Sequence, residues 1–329
     1  MSNKRKVLVT GGAGYIGGHL CRQLLERDYE VVVLDNLLFG NIALADIMDH
    51  KNFTFIDGDV RHIGDLAKAV RDVQDVIHLA AIVGDPACAV DKDVTRTVNI
   101  ESSKSLVELA DHYDVERLIF ASSCSVYGAA PASLLLNEGS HKNPVSLYAE
   151  TRILSEDIFK RAKNACVTSL RLATVFGWAW RMRFDLVVNI FTAMATKLGK
   201  VELFGGGQYR PFVHCSDAAR AFIAALEAPR ESVHNEEFNV GSESMNMTIR
   251  QLADEVARVL PGTQVFAKEG MDDERNYRVD FSKIRWILKF EPKVSIADGI
   301  LEMSQRMKDN AYDNWRDDRY HNLKYRYAL

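Results

Sequence analysis

The fold is decided close to the N-terminus, by the stretch Val7-Leu8-Val9-Thr10-Gly11-Gly12-Ala13-Gly14-Tyr15-Ile16-Gly17. A short apolar run, typical of a buried strand, leads into glycines at a three-residue spacing, and apolar residues at helical spacing follow. Glycine at Gly11, Gly14 and Gly17 lets backbone N–H groups approach a pyrophosphate, which the dipole of the following helix also attracts. The stretch therefore predicts a strand, a turn and a helix that bind a dinucleotide; a tight turn without a ligand is the alternative.

The alternation of strand and helix continues through the first half of the chain. Continuous apolar runs, expected of parallel strands covered on both faces, lie at residues 31–34, 53–56, 76–79, 118–121 and 166–172. Apolar residues at helical spacing lie between them, at 16–27, 63–71 and 94–113. This order predicts an α/β fold with a Rossmann-like doubly wound parallel sheet.

The regular alternation of predicted strands and helices ends after Arg171. Beyond it, glycine-rich and aromatic segments separate isolated helical patterns at 186–198 and 249–260. We expect residues 1–172 to form the dinucleotide-binding domain, with 211–230 returning to it. Residues 173–329 are expected to form a smaller mixed α/β substrate-binding cap domain. The last stretch, 311–329, is rich in Arg, Tyr and Asp and is expected to pack against the cap or a partner subunit; a disordered tail is the alternative.

Composition narrows the class of protein. Hydrophobic residues make up 47% and charged residues 26% of the 329 positions, and the formal net charge is -4. This balance is that of a soluble globular protein and argues against nucleic acid or an anionic membrane as a partner. The five cysteines are scattered and form no CxxC pair, which indicates reduced thiols and no metal site. No run approaches the roughly 18 apolar residues of a spanning helix, so a cytoplasmic location is expected.

Asp35 indicates which dinucleotide binds. It closes the second predicted strand, where a carboxylate can bind the hydroxyls of the adenosine ribose. It would repel the additional phosphate of NADP, and no Arg occurs between Asp35 and Arg61. The sequence therefore favours NAD over NADP; a helix cap is the alternative role for Asp35.

Tyr148 and Arg152 form the candidate catalytic pair. Residues four apart share one face of a helix, and a fixed positive charge there can lower a phenol pKa from about 10. Ser123, at the end of the strand predicted at 118–121, can supply a hydroxyl. A half-buried tyrosine whose hydroxyl is satisfied locally is the alternative for Tyr148.

Three motifs together resemble one family: the glycine stretch, the strand end Ala121-Ser122-Ser123-Cys124-Ser125-Val126-Tyr127-Gly128, and the Tyr148–Arg152 pair. They resemble the extended short-chain dehydrogenase/reductase family, in its NAD-dependent nucleotide-sugar epimerase/dehydratase branch. The resemblance covers nearly the whole chain and is strongest up to Arg171. Segments 84–88 and 181–185 and the segment around Arg210 are similar to the GDP-heptose 4-dehydrogenase group, and the chain is also similar to the UDP-galactose 4-epimerase group.

The resemblance implies roles for the catalytic residues. Tyr148 is expected to be the base and acid, and Arg152 to bind the nicotinamide ribose. Ser123, four residues before Tyr127, is expected to orient the sugar oxygen. The family has Lys where this chain has Arg152. Arginine keeps the charge but has a larger, planar head, so it either replaces the lysine or marks a site that mainly binds.

The resemblance also implies the binding residues. The expected NAD-binding residues are Gly11, Gly14, Tyr15, Ile16, Gly17, Asp35, Asn36, Asp59, Val60, Leu79, Ala80, Ala81, Tyr148 and Arg152. The expected contacts with the diphosphate of the substrate are Asn189, Arg210 and Arg275, with Arg278 close to the last. Surface salt bridges are the alternative for these arginines.

The residues after Ser123 narrow the reaction. Family members that dehydrate a sugar carry Asp-Glu there, whereas this chain has Cys124-Ser125, which disfavours dehydration. Cys124 is expected to be buried and inert; a role as acid or base is the alternative. The predicted function is oxidation at C4 of a GDP-, UDP- or dTDP-linked sugar, as a 4-epimerase or 4-dehydrogenase in bacterial surface-polysaccharide precursor synthesis. A nucleotide-keto-sugar reductase and a non-catalytic NAD-binding sensor are the alternatives.

The resemblance finally implies a homodimer. Helices at 94–113 and 148–163 of two copies pair in the family as a four-helix bundle. The apolar candidates for this seam are Leu106, Leu109, Ile153 and Ile158, although covering the sheet is their alternative role.

Overall fold

Strand and helix alternate through the first part of the chain, as the apolar pattern predicts. The computed structural model describes residues 4–268, 275–309, 312 and 314–322. Its first elements are β1 (Lys6–Thr10), α1 (Gly17–Glu26), β2 (Glu30–Asp35), β3 (Phe53–Asp57), α2 (Ile63–Val70), β4 (Asp75–His78), α3 (Asp85–Val90), α4 (Lys92–Arg96), α5 (Ser102–His112), β5 (Arg117–Ser123), β6 (Leu135–Leu136), α6 (Leu147–Phe159) and β7 (Cys166–Leu172).

Shorter strands and isolated helices follow. They are β8 (Thr174–Phe176), α7 (Val187–Leu198), β9 (Lys200–Phe204), β10 (Tyr209–His214), α8 (Cys215–Glu227), α9 (Arg230–Val233), β11 (Glu236–Val240), β12 (Asn246–Thr248), α10 (Ile249–Val259), β13 (Gln264–Lys268), β14 (Arg278–Val279), α11 (Ser282–Leu288) and α12 (Ile296–Lys308). The helix expected at 148–163 ends earlier, at Phe159.

Within the described residues, seven parallel strands form the central sheet in the order β3-β2-β1-β4-β5-β7-β11. The predicted Rossmann-like doubly wound sheet is confirmed. The direction of the strand order reverses between β1 and β4, and ligands of such sheets bind at the carboxyl ends of the strands at this point. The seventh strand comes from residues 236–240, and α8 packs against α1. The division at residue 172 stays a prediction.

The apolar runs of the strands are explained by cover on both faces of the sheet. Val7 and Val9 of β1 belong to one core with Leu20 of α1, whereas Leu8 belongs to a second core with Leu106 of α5. Successive side chains of a strand point to opposite faces, so a strand between two helical layers has to be apolar throughout. Leu106 is fully buried here, which assigns it to sheet cover.

A third core lies in the later part of the chain and includes a segment near its end. The ring centres of Tyr312, Trp315 and Tyr320 lie 5.6, 6.0 and 5.7 Å from that of Phe184. The described part of 311–329 therefore packs against the predicted cap; residues 311, 313 and 323–329 of that stretch lie outside the described residues. No helix in the described part of the chain is both long and apolar enough to cross a membrane.

Candidate active site

A cavity of about 440 Å³ opens at the carboxyl ends of the central strands. The predicted residues in its wall are Gly11, Gly14, Tyr15, Ile16, Gly17, Asp35, Asn36, Asp59, Val60, Leu79, Ala80, Ala81, Ser123, Tyr148, Arg152 and Arg275. The fold thus brings the predicted cofactor and catalytic residues to one cavity at the point where the strand order reverses.

The glycine loop between β1 and α1 is built for close approach. Gly11 has a φ of +75°, and a Cβ on it would lie 2.7 Å from the backbone nitrogen of Ala80. A Cβ on Gly17 would lie 2.5 Å from the carbonyl oxygen of Gly11. Side chains are therefore excluded, and the N-terminus of α1 faces the cavity without cover. This cradle fits the pyrophosphate of a dinucleotide.

Asp35 is fixed at the end of β2. Its carboxylate accepts hydrogen bonds from the backbone N–H of Ala13 at 3.0 Å and of Leu37 at 2.8 Å. Burial raises the pKa of Asp35, and these two hydrogen bonds oppose that rise. The bond from Ala13 ties the carboxylate to the glycine loop, so the two parts of the predicted NAD site hold one another in place.

Asp59 forms the adjoining part of the wall. Its carboxylate accepts from Asn36 Nδ2 at 3.0 Å and from Arg61 Nη2 at 2.8 Å. Burial raises the pKa of Asp59, but the hydrogen bonds of Arg61 outweigh burial and lower it to about 2. Arg61 is the first arginine after Asp35, and this ion pair holds it against Asp59.

Ser123 and Tyr148 meet across β5 and α6. Tyr148 lies in the first turn of α6, which the Ser146 hydroxyl caps by accepting from the N–H of Ala149 at 3.2 Å. Ser123 ends β5, where its hydroxyl accepts from the N–H of Ser125 at 3.1 Å and lies close enough to the Tyr148 phenol to lower its pKa. A strand end and a helix start therefore present two hydroxyls to one point of the cavity.

Arg152 lies beneath Tyr148. Its guanidinium carbon is 5.2 Å from the centre of the Tyr148 ring and 5.3 Å from that of Phe120. Its Nη1 donates to the carbonyl of Ala121 at 3.2 Å, and the residue is 2% exposed. Within the described residues its Nε has no hydrogen-bond partner. An oxygen of a ligand in the cavity, such as a ribose hydroxyl, would satisfy this donor.

The pKa of Tyr148 corrects one expectation. Burial raises it above its usual value, while the charge of Arg152 and the nearby hydroxyl of Ser123 lower it without offsetting burial. Arg152 acts in the predicted direction, but the expectation of a lowered phenol pKa is wrong for the protein alone. Desolvation of the phenolate is the larger effect, because the half-buried ring lies in the cavity among protein groups that replace bulk water.

Asn99 is a residue that the sequence patterns missed. A π-helical turn, Thr97–Glu101, joins α4 to α5 inside the stretch predicted as one helix. There the Asn99 amide exchanges hydrogen bonds with the backbone of Ile82, at 2.9 and 3.0 Å, and donates to Thr151 at 3.2 Å. It thereby joins the loop after β4 to α6. An amide among apolar helix positions was the available signal.

A buried ion pair supports the strand end from behind. Arg171 donates to both carboxylate oxygens of Glu156 at 2.9 Å, and the Ser122 hydroxyl donates to Glu156 at 2.6 Å. Burial raises the pKa of Glu156, but the Arg171 bonds outweigh it and lower the pKa. Cys124 also faces this side, donating to the Arg171 carbonyl at 3.1 Å, and burial raises its pKa. Its surroundings are those of an inert thiol.

Two of the predicted substrate residues lie behind the cavity wall. Asn189 accepts from the N–H of Gly177 at 3.0 Å and donates to the Tyr15 hydroxyl at 2.9 Å and the Arg183 carbonyl at 2.8 Å. Tyr15 in turn donates to the Gly177 carbonyl at 2.5 Å, so its hydroxyl ties the glycine loop to the predicted cap. Arg210 donates to the carbonyl of Tyr209 at 2.7 Å.

Arg275 is the predicted substrate residue that reaches the cavity. Its Nη1 lies 2.7 Å from Asp85, whose other oxygen accepts from the Ser146 hydroxyl at 2.6 Å. Arg210 donates to the backbone carbonyl of Arg275 and so holds it from below. Arg278 donates instead to the carbonyl of Ala132 at 3.3 Å. Substrate binding by Asn189, Arg210 and Arg275 stays a prediction.

The glycine cradle, the carboxylate after β2 and the Ser-Tyr pair agree with a comparison of the sequence with family models. The model described as the NAD dependent epimerase/dehydratase family matches residues 7–241. The chain belongs to this family. It is an enzyme of the extended short-chain dehydrogenase/reductase type, and NAD is its cofactor.

Individual relatives agree with this assignment. The UDP-glucose 4-epimerase of Lactobacillus helveticus is 29% identical over 325 residues, which cover 90% of this chain and 94% of the relative. A solved UDP-glucose 4-epimerase of Thermotoga maritima, with UDP-glucose, has a TM-score of 0.82 and 28% identity over 93% of this chain and 99% of its own. A dTDP-glucose 4,6-dehydratase of Streptomyces venezuelae, with NAD bound, has a TM-score of 0.82 and 26% identity over 95% and 100%.

Proposed function

We propose that this family member oxidises a nucleotide-diphosphate sugar at C4, and either reduces the ketone on its other face, as a 4-epimerase, or releases it, as a 4-dehydrogenase. The meeting of Ser123 and Tyr148 above Arg152, in the cavity that holds the glycine cradle, carries this proposal. The fold is compatible with both oxidation at C4 and dehydration, so the side chains around the reacting carbon have to distinguish the two reactions.

The chain's own groups account for the proton transfer. NAD, when bound, supplies the hydride acceptor and, in its oxidised form, a positive charge. Tyr148 would take the proton of the sugar hydroxyl, and Ser123 would hold the same oxygen by a hydrogen bond. Because burial raises the Tyr148 pKa in the protein alone, Arg152 cannot activate the phenol by itself. Tyr148 would therefore reach the phenolate form at neutral pH only with a further positive charge, such as that of oxidised NAD, in the cavity.

The side chains next to Ser123 support oxidation and epimerisation over dehydration. Elimination of water across two carbons needs an acid and a base besides Tyr148. Cys124 is buried, and its thiol is turned towards Arg171. Ser125 lines the cavity with a hydroxyl, which titrates far above neutral pH. A C4 epimerisation asks for no further acid or base, because the proton and the hydride return to the atoms that lost them.

The nucleotide is proposed as UDP, GDP or dTDP. The UDP- and dTDP-linked sugars in the names of the relatives support a nucleotide sugar as the substrate. Arg275, at the cavity wall, is a planar cation suited to a phosphate, and Arg210 supports its backbone. We further propose a role in the synthesis of precursors for bacterial surface polysaccharides, which the similarity of segments 84–88 and 181–185 to the GDP-heptose 4-dehydrogenase group supports.

A panel of UDP-, GDP- and dTDP-sugars tests the function. The purified protein is incubated with each sugar and NAD, and NADH is followed by absorbance while the sugar products are separated by chromatography. We expect an epimer or a 4-keto sugar from at least one substrate. Tyr148→Phe should lower that turnover by at least about a hundredfold and leave NAD affinity within about twofold, because it removes only the proton-transfer group. Tyr113→Phe, directly after the end of α5, is the matched control.

Two experimental results would contradict this proposal or the role it gives to Tyr148. Tight NAD binding with no turnover on any sugar would contradict the proposal and favour a protein that binds NAD without catalysis. Turnover that survives in Tyr148→Phe would show that the proton leaves by another group.

A further inference from the structure

Three side chains from distant parts of the chain meet at the rim of the cavity. The guanidinium carbon of Arg181 lies 3.7 Å from the centre of the Phe39 ring. Its Nη2 donates to Asn322 Oδ1 at 2.6 Å, and Asn322 Nδ2 donates to the carbonyl of Val83 at 3.3 Å. We call Phe39, Arg181 and Asn322 the clasp, and Val83 is its anchor on the opposite side.

The sheet order determines what the clasp crosses. Phe39 follows β2 and Val83 follows β4, whereas the glycine loop follows β1. In the sheet, β1 lies between β2 and β4. A bridge from the loop after β2 to the loop after β4 therefore passes over the loop after β1. The clasp residues and Val83 all line the same cavity as Gly11.

The middle of the clasp is suited to a pyrophosphate. Arg181 carries a permanent charge on a planar fork that can donate two parallel hydrogen bonds to phosphate oxygens. It is 4% exposed, and Asn322 is 5% exposed, so both are held inside the structure. The ring of Phe39 fixes the plane of the guanidinium by stacking, and Asn322 fixes its edge by a hydrogen bond. Arg181 lines the same cavity as the glycine loop, so its charge and the dipole of α1 would attract the same anion.

We propose that the clasp retains the bound dinucleotide: Arg181 is a further cofactor-binding residue that contacts the pyrophosphate, and Phe39 and Asn322 hold it there, so that the cofactor leaves only when the clasp opens. The clasp deepens the proposed function and rests on it. A 4-epimerase has to return its hydride from the same NADH within one turnover, and release of that NADH would strand the keto sugar. Slow release therefore favours the epimerase outcome over the dehydrogenase outcome.

The rate of NADH release tests the clasp without any sugar substrate. The full-length protein is loaded with NADH and mixed with a large excess of NAD, and the loss of bound-NADH fluorescence gives the dissociation rate constant. We expect Arg181→Met and Asn322→Ala each to release NADH at least about tenfold faster than the wild type, as loss of one charge-assisted contact implies. The double variant should release NADH no more than about twofold faster than the faster single variant, since both substitutions disrupt the same clasp.

The matched control is Arg306→Met. Arg306 also stacks on an aromatic ring, 4.1 Å from the centre of Trp178, but neither residue lines the cavity. We expect its NADH release to stay within about twofold of the wild type. Thermal melting of each cofactor-free variant checks folding, and Asn322→Ala, which changes no charge, carries the test if Arg181→Met does not fold.

Release rates within about twofold of the wild type in the clasp variants would overturn the proposal. Fully additive effects in the double variant would also overturn it, because they would indicate two separate contacts. These outcomes are independent of the proposed reaction. If NADH release is unchanged in the variants but the protein turns over a sugar, the clasp proposal fails and the proposed function stands. If the variants release NADH faster but the protein turns over no sugar, the clasp proposal stands and the proposed function fails.

Discussion

The guanidinium carbon of Arg152 lies 5.2 Å from the centre of the Tyr148 ring, one helical turn further along α6. The charge lowers the phenol pKa, but burial raises it by more, so the pair by itself does not produce a phenolate at neutral pH. The pH dependence of the reaction is therefore expected to depend on Arg152 and on the cofactor together.

Arg152→Ala should move the pH–rate profile. Tyr148 has to be deprotonated to accept a proton, so the oxidation rate rises as pH rises through the phenol pKa. Removing a cation that lowers this pKa shifts the rising limb to higher pH, and the rate at neutral pH falls. Arg152→Lys should keep the limb close to its wild-type position, because the charge remains. The measurement is kcat against pH on the sugar that the substrate panel identifies.

Arg152 is also expected to contribute to NAD binding, which a distant charge would not do. Its buried Nε is expected to bind the ligand in the cavity, so Arg152→Ala should also weaken NAD, as titration would show. An alanine variant with unchanged NAD affinity and an unchanged profile would mean that Arg152 has no part in the site.

Much of the predicted NAD-binding part of the site could be located from the sequence, because each of its residues lies at or near the end of a strand. Gly11 follows β1, Asp35 closes β2 and Ala80 lies just after β4. Parallel strands have their carboxyl ends at the same edge of the sheet. Asn189 and Arg210 could not be placed in this way. Their positions depend on how the later segments pack, and the structure puts them behind the wall of the cavity.

Other features depend on contacts far apart in sequence. The bond between Arg181 and Asn322 joins residues 141 positions apart, and no local pattern predicts it. The π-helical turn at Asn99 interrupts a stretch whose apolar spacing reads as one continuous α-helix. The Tyr148 pKa was predicted from the neighbouring charge alone, whereas its desolvation depends on segments far along the chain that form the cavity around the ring.

Ser123→Ala should lower turnover more than Ser125→Ala. The Ser123 hydroxyl lies beside the Tyr148 phenol, lowers its pKa and is expected to hold the sugar oxygen, so its loss should cost about tenfold to a hundredfold in kcat. Ser125 lines the same cavity but is not expected to hold that oxygen, and its loss should cost less than about fivefold. Steady-state kinetics on one sugar compares the two, and equal losses would contradict the assignment of Ser123.

Asp35 should set the choice between NAD and NADP. We expect a preference for NAD of about a hundredfold, which corresponds to about 2.7 kcal/mol, since the half-buried carboxylate would face a second negative charge. Asp35→Ser should weaken NAD and narrow this gap, because it removes both the ribose contact and the repulsion. Calorimetric titration with each dinucleotide measures the gap, and equal affinities in the wild type would defeat the prediction.

A homodimer through α5 and α6 stays a prediction, and the structure selects the residues that test it. Leu106 and Ile158 lie in the core and cannot form a seam, whereas Leu109 and Ile153 are half-buried and Leu154 of α6 is 48% exposed. Leu154→Glu should produce a monomer if this helix is the seam, since a charge would be buried. Light scattering at micromolar concentration measures the mass, and a monomeric wild type would refute the dimer.

Glu156 and Arg171 form an ion pair inside the protein. Glu156→Gln leaves the guanidinium of Arg171 with Glu237 alone, 3.8 Å from its Nη2, and removes the partner of Lys142, which should lower the free energy of unfolding by up to roughly 3–5 kcal/mol. The pKa of Glu156 is lower in the folded protein than in the unfolded chain. Its stabilising effect is therefore complete above an unfolded pKa of about 4.3 and is lost as pH falls through the folded pKa.

Urea unfolding of the two proteins across the acid range measures this effect. The difference between wild type and Glu156→Gln should be constant above about pH 5 and should shrink on acidification, because the wild type then also carries a neutral side chain at this position. Glu255→Gln is the control, since Glu255 pairs with Arg258 on the surface of α10 and should cost less than about 1 kcal/mol. A difference for Glu156 that grows as pH falls would show that the ion pair does not hold its charge.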